Sequence, residues 1–467
     1  MSKNPVRRIH WFEPDKDDPS SPVAWSAASL VTATLFLNWS FTLQASGLWL
    51  FCPLPLHALL LSVFALLLTG LFFVGPALAT RAAGRPLFLV VEDSLGSIPA
   101  CGLRLCCVSF LVLWMATLIF VPMTLLSNNL ERRISSTELG IIAAAVLMFL
   151  FFTGQQSFQT RARLAAFTNK LGLAILIAAL IRVHEGWPAL LGPFRADEDR
   201  GWLWYVWAEF SMLAFYVAPL ALLAADLGRR SRGRRQVAIL GLVGLALPLF
   251  ATLFLVGVIG TATHASPYYQ PSLEPTVAMA LWSKAARSAL PGRILVAAVT
   301  IFGAVRFGGR SLVEATPIRT AGYARRWILL ACFSGAIAWC SLHVFAPAFF
   351  SALDWSARCL AVTGAVITVD FLTGKRRTEQ ARKVDWVGLI ALVTGLATPL
   401  YVPHGPMELT RFPWWYPWVL PSFVMAFLMC LVCRLVQKIR PVNLFQTAGQ
   451  SSSGPNSRSA GVRRDAC

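Results

Sequence analysis

The sequence predicts an all-α integral membrane protein of about twelve transmembrane helices. Three observations carry this. Apolar stretches near the length of a bilayer span recur from one end of the chain to the other. Of the 467 residues 56% are hydrophobic and only 13% are charged, and the mean hydropathy is +0.62. A soluble domain of this size carries about 25% charged residues and could not cover so apolar a surface. The basic residues fall in short clusters between the apolar stretches, mostly after every second one.

The spans are placed at Val23–Trp49, Leu56–Ala79, Ile98–Thr124, Glu138–Thr153, Leu164–Val183 and Trp202–Asp226, then Val237–Thr263 and Leu290–Phe307. The last four are Trp327–Phe350, Trp355–Leu372, Trp386–Tyr401 and Pro417–Val436. Residues 1–22 are a polar leading segment with no apolar signal-peptide core, so the first span is expected to serve as the targeting signal. Residues 437–467 read as a disordered tail, polar and rich in Ser and Gly over Gln446–Cys467.

The loops set an orientation. Arg81 and Arg85 follow the second span, Arg161 and Arg163 the fourth, and Arg229–Arg235 the sixth. Arg306 to Arg326 follow the eighth, Lys375–Lys383 the tenth, and Lys438 and Arg440 the twelfth. The opposite loops are poorer in Lys and Arg, apart from Arg132 and Arg133 beside Glu131. Lys and Arg concentrate on the cytoplasmic side, so both termini are expected in the cytoplasm and the chain in the plasma (cytoplasmic) membrane. The formal net charge of +19 is accounted for in this way, together with contact with anionic lipid headgroups. There is no basic stripe interleaved with aromatics, so no nucleic-acid partner is expected.

Chemistry-bearing side chains are sparse. The six histidines are scattered and no HxxxH occurs. Cys430 and Cys433 form a CxxC with no His or second CxxC nearby, and most of the ten cysteines lie in apolar stretches as small hydrophobes. Hydrolysis or group transfer needs a nucleophile, base or metal held together, and no such set is present, so no enzyme, catalytic residue, metal site or organic cofactor is expected.

What remains are interrupted helices and intramembrane polar groups, which suit a secondary transporter. The first span carries Asn38-Trp39-Ser40 and Gly47, and the sixth carries Pro219. Unwound backbone at such points offers carbonyls and N–H groups to a solute or ion, and their paired positions fit an inverted repeat. Glu209 is a candidate proton-coupling carboxylate, or else a residue near the interface about two turns from Trp202. Asp354 and Arg358 are four apart and suit a structural pair on one helix face.

Three motifs resemble those of the nucleobase:cation symporters, the purine/cytosine permease family. GRPLFLVVEDSLGSIPACGLRL (Gly84–Leu105) is similar to the family's segment between the second and third helices. AADLGRRSRGRR (Ala224–Arg235) is similar to its acidic–basic loop after the sixth, with Asp226 and Arg229 as motif residues. VITVDFLTGKRRT (Val366–Thr378) is similar to its ending of the tenth helix, with Asp370 as the motif residue. The resemblance runs over most of Asn38 to Val436.

The resemblance implies a LeuT-like fold. Repeat one would occupy residues 23–183, repeat two residues 202–372, and two extra helices residues 386–436, within a transporter domain of residues 23–436. It implies alternating-access transport of a small planar nitrogenous solute of the nucleobase, hydantoin or allantoin class, coupled to protons or sodium. The ring would be held between aromatic faces and read by polar edges. Counting from Ser94-Leu95-Gly96, the family's third-helix tryptophan falls on Trp114, and its glutamine on Leu118 beside Thr117. Counting back from Asp226, the sixth-helix aromatic falls on Val217, next to Tyr216. The hydroxyl pair of the sodium site falls near Ala298 and Val299, with Thr300 the nearest polar side chain.

The substrate-site residues are therefore Trp114, Thr117, Tyr216, Asn38 and Thr300. Trp114 and Tyr216 also suit ordinary packing. The chain departs from the family at its amides and its hydroxyl pair, which leaves the nucleobase and the sodium ion open, since a hard cation needs several oxygen ligands. Glu92 and Asp93 stand where the family usually has a basic residue. Two other readings stay open: an amino-acid or organic-cation permease of the same fold, and a non-transporting membrane sensor or assembly protein that retains it.

Overall fold

The computed structural model describes residues 66–129, 137–142, 217–219, 221–231, 233–247, 334–336, 347–374, 383–401 and 418–439, with isolated positions beside them; in 97–129 side chains are described as far as Leu113. Among the described residues all regular structure is helical.

Helix α1 spans Leu66–Ala83 and widens into a π turn at Gly70–Val74. It runs four residues past the expected end at Ala79, because nothing breaks it before Gly84, whose φ of 60° forms a left-handed cap with its N–H on the Arg81 carbonyl. Pro86 then starts α2, Leu87–Leu95. This short helix is absent from the sequence expectation, in which residues 84–97 are a connecting segment. Helix α3, Ser97–Asn129, is 33 residues long. At 1.5 Å per residue it reaches about 50 Å, so it crosses a bilayer only with tilt or by projecting beyond it.

A 3₁₀ turn at Ala225–Arg230 closes the sixth span, and α4, Arg234–Ile239, opens the seventh and continues as a second π segment, Leu240–Ala246. The two π segments meet: a Cβ on Gly241 would lie 3.0 Å from the Phe73 ring. Helix α5, Pro347–Leu372, starts eight residues earlier than expected, with Pro347 at the first helical position and Asp354 inside the helix. Helices α6, Trp386–Leu396, and α7, Thr398–Tyr401, make up the eleventh span, and α8, Val419–Ile439, the twelfth.

Three of the described helical stretches are long and apolar enough to cross a membrane, Leu66–Ala83, Asp354–Leu372 and Val419–Lys438. The second is 78% buried and the third 39%, which makes α5 the central element and α8 a peripheral one. Helix α5 packs on α1, α3, α6 and α8. Phe72 of α1 meets Phe423 of α8 edge to face, with centroids 4.9 Å apart, and both are fully buried. The outer face of α8 presents Val424, Leu428, Val432 and Leu435. Such a stripe is costly against water and ordinary against lipid.

Candidate functional site

The chain ends of α1, α5 and α8 and the starts of α4 and α6 come together at one end of the bundle, here the basic end. Arg81, Arg85, Arg229, Lys383 and Lys438 all belong to it. The described basic residues that follow the second, sixth, tenth and twelfth spans therefore lie on one side, as the alternation in the sequence requires.

Asp226 sits in the 3₁₀ turn and is buried. Its Oδ1 accepts the N–H of Leu87 at 3.0 Å. Pro86 has no side-chain oxygen to cap α2, so the cap is supplied by a carboxylate 139 positions away. A negative charge there is favoured by the helix dipole. The other oxygen, Oδ2, faces Arg229 Nε at 3.2 Å. Thr80 of α1 donates to the Ala225 carbonyl at 2.8 Å, and Arg81 Nε donates to the Ser231 carbonyl at 3.3 Å. Gly228 lies directly against the Ala77 carbonyl, where no Cβ fits.

Helix α2 carries Glu92 and Asp93. Glu92 faces Arg104 of α3 at 3.6 Å and Asp93 faces Arg85 at 3.8 Å. Arg104 also lies over the Phe88 ring, 5.8 Å from its centroid. The acidic pair thus ties α2 to its neighbours. The α2–α3 turn at Gly96, with φ of 90°, is stitched to the strand-like approach of α6. Asp385 N–H donates to the Leu95 carbonyl at 2.9 Å, and Ile98 N–H to the Lys383 carbonyl at 3.2 Å.

Arg434 of α8 completes the network. Its Nε donates to Asp370 Oδ1 at 2.7 Å, its Nη2 to Asp385 Oδ2 at 2.9 Å and to Asp370 Oδ2 at 3.4 Å, and its Nη1 to Gln437 at 3.1 Å. All three charged residues are buried. Asp385 also caps α6, accepting from Val387 N–H at 3.1 Å and Gly388 N–H at 3.4 Å. One guanidinium thus joins the end of α5, the start of α6 and α8, and the second negative charge is offset by the α6 dipole.

The structure thus places Asp226 and Arg229 at the cap of α2 and Asp370 in the Arg434 clamp, two separate sets of contacts at the basic end. Sequence reasoning missed Arg434 and Asp385. The signals were an arginine inside the last turns of an apolar span and an aspartate just before a helix start. Trp114 and Thr117 lie on α3, and their side chains are outside the described ones. Asn38, Glu209, Tyr216 and Thr300 are outside the described residues. Val217, to which counting assigns the sixth-helix aromatic, is buried. Among the described residues no group of His, Cys, Asp and Glu suits a metal ion.

No protein-family model and no curated protein sequence matches the chain. Solved structures do. A nucleobase-cation-symport-1 family transporter, Mhp1, closed with bromovinylhydantoin bound, superposes with a TM-score of 0.63 at 13% identity over 90% of this chain and 93% of that one. The inward-facing conformation of Mhp1 gives 0.63 at 14% identity, over 90% and 91%. A substrate-bound, outward-open Na+-coupled sialic acid symporter gives 0.56 at 9% identity, over 89% of each chain. This chain shares their fold. It is an integral multi-pass membrane protein with the LeuT-like architecture that the sequence motifs imply.

Proposed function

We propose that this protein is a secondary active transporter that carries a small planar nitrogenous solute, of the nucleobase, hydantoin or allantoin class, by alternating access. The observation that carries the reading is the likeness to Mhp1 over nine-tenths of both chains, reached independently of the three motifs that first pointed to that family. Neighbours of this fold are known closed, inward-facing and outward-open, the three states alternating access requires. Trp114 supports it further, since it lies close to the midpoint of α3, the depth at which a solute sits in such a fold.

In this reading residues 23–183 and 202–372 are the two repeats, and 386–436 adds two helices. The basic end faces the cytoplasm with both termini, and the membrane is the plasma membrane. Trp114 and Tyr216 would hold the ring, with Asn38, Thr117 and Thr300 at its edges. Coupling is to protons or sodium, with Glu209 the carboxylate to test first.

The test is thermal stability of the purified protein against a panel of purines, pyrimidines, hydantoins, allantoin and amino acids, with and without sodium. A ligand that binds only the folded state raises the melting temperature by mass action. A shift with one flat heterocycle, lost in Trp114→Ala, supports the reading. A shift with an amino acid alone moves it to the other permease class. Silence across the panel in a well-folded sample, with no uptake into vesicles, sinks it in favour of a non-transporting protein.

A further inference from the structure

Helices α5 and α8 run parallel with a constant offset. Asp370 and Arg434 are 64 positions apart, and the same offset relates Asp354 to Trp418, Arg358 to Ser422 and Val362 to Ala426. Contacts appear along the whole register. The Arg434–Asp370 pair closes the basic end. Val362 and Ala426 meet over Gly395 of α6, each 2.8 Å from a Cβ built there. The backbone N–H of Trp418 reaches the Asp354 carboxylate at the far end. Asp354 and Asp370 are separated by about 24 Å of helix rise, most of a hydrocarbon core.

The two ends are built differently. At the basic end each guanidinium nitrogen of Arg434 has an acceptor. At the far end Arg358 Nε lies 2.8 Å from Asp354 Oδ2, but its hydrogen is not aligned on the oxygen. Asp354 Oδ1 is buried without a hydrogen-bond partner, and so is the hydroxyl of Ser422, which has no exposed surface and stands in register with Arg358. Three buried side-chain atoms without a hydrogen-bond partner, Asp354 Oδ1, Arg358 Nε and Ser422 Oγ, fall in this one stretch of the α5–α8 interface. Buried polar groups in native proteins are nearly always satisfied, so the Asp354 charge is less well compensated here than the Asp370 charge at the basic end. The guanidinium of Arg358 stacks on Trp355 at 4.4 Å, and Trp355 is itself exposed, so the cluster opens to the surface of the bundle. Among the described residues the other ionisable groups near it are Cys359 on α5 and, hydrogen-bonded to Cys359 from α3, Cys106.

We propose that Asp354 is a proton-binding site, and that its protonation releases the far turns of α5 from the start of α8. The proton occupies Oδ1, the oxygen that lacks a donor. Neutralising the carboxylate ends the ion pair with Arg358 and weakens the hold on Trp418 N–H, while the Arg434 clamp keeps the basic end closed. Helix α5 is thus hinged at one end and latched at the other, and the latch answers to protons from the side opposite the basic end. Neither step depends on which solute the protein carries.

Two measurements on the protein in lipid nanodiscs test this. Infrared difference spectra between about pH 8 and about pH 5 should show a protonated-carboxyl band in the wild type that is missing in Asp354→Asn and returns, shifted, in Asp354→Glu. Hydrogen exchange over residues 351–358 and 418–422, corrected for intrinsic rates, should quicken about tenfold on acidification, the scale of one lost charge-assisted hydrogen bond. In Asp354→Asn it should be fast at both pH values, while exchange around Arg434 stays slow throughout. A band that survives in Asp354→Asn overturns the site. A wild type whose exchange ignores pH, or a pH response that persists in Asp354→Asn, overturns the latch.

Discussion

Asp370 and Arg434 meet through Oδ1 and Nε at 2.7 Å, both buried, one at the last turns of α5 and the other at the last turns of α8. Because Arg434 also holds Asp385, its loss strands two carboxylates and not one. Removing one partner of a buried pair costs about 3–5 kcal/mol, mostly for the charge left behind. Arg434→Gln is therefore expected to destabilise the protein more than Asp370→Asn, and Asp370→Asn combined with Arg434→Gln to recover part of the loss. Melting temperatures of the three variants in one detergent check the order. Three variants within a degree of the wild type would show that the triad contributes nothing.

Asp226 acts by capping. Its Oδ1 receives the Leu87 N–H, and an asparagine keeps that acceptor while giving up the charge and the Arg229 pair. Asp226→Ala is expected to cost about 1–2 kcal/mol, and Asp226→Asn clearly less. The effect should be local, so hydrogen exchange over residues 87–95 is the readout. Equal exchange in the two variants would mean that the charge, not the acceptor, holds α2.

Much of this architecture was legible in the sequence for physical reasons. Among the described residues the apolar runs locate the second, third, tenth, eleventh and twelfth spans, and the basic residues mark which of their ends share a side, as the meeting of Thr80, Asp226, Lys383 and Arg434 at one end shows. The α2 helix was not legible. Its nine residues are too short to span, and its cap comes from Asp226 rather than from its own flank. The start of α5 was placed at Trp355, past Asp354, although the Asp354–Arg358 pair expected on one helix face already needs the carboxylate inside the helix. Arg434 reads as one more basic residue near the membrane edge until its two partners, distant in sequence, are brought to it. The stacking residues proposed around Trp114 rest on motif counting alone.

Close backbone approach makes Gly228 intolerant. A Cβ there would run into the Ala77 carbonyl and Thr80 Oγ1, the atoms that join α1 to the 3₁₀ turn. Gly228→Ala is expected to cost at least the roughly 1–3 kcal/mol of ordinary overpacking. Gly102 on α3 faces open space, so Gly102→Ala is the control and should stay within about 0.5 kcal/mol of the wild type. If the two alanines behave alike, α1 and the 3₁₀ turn are not in the contact described.

The Glu92–Arg104 pair asks whether acids on α2 do structural work where the resembling family usually carries a base. The two side chains are 28% and 19% exposed, so solvent screens the pair and its worth is modest, about 0.5–1 kcal/mol. Glu92→Arg sets two cations against each other beside the Phe88 ring and the basic end, and is expected to lower stability and to do so more at low salt. Adding Arg104→Glu re-forms the pair with the charges exchanged and should restore most of the loss. The double-mutant cycle, run at low and high salt, isolates the pairwise term from the general effect of added positive charge. A cycle that closes to zero at both salts would mean that α2 is held by its Asp226 cap and the Gly96 stitching alone, and that the change from base to acid at Glu92 answers to something other than this contact.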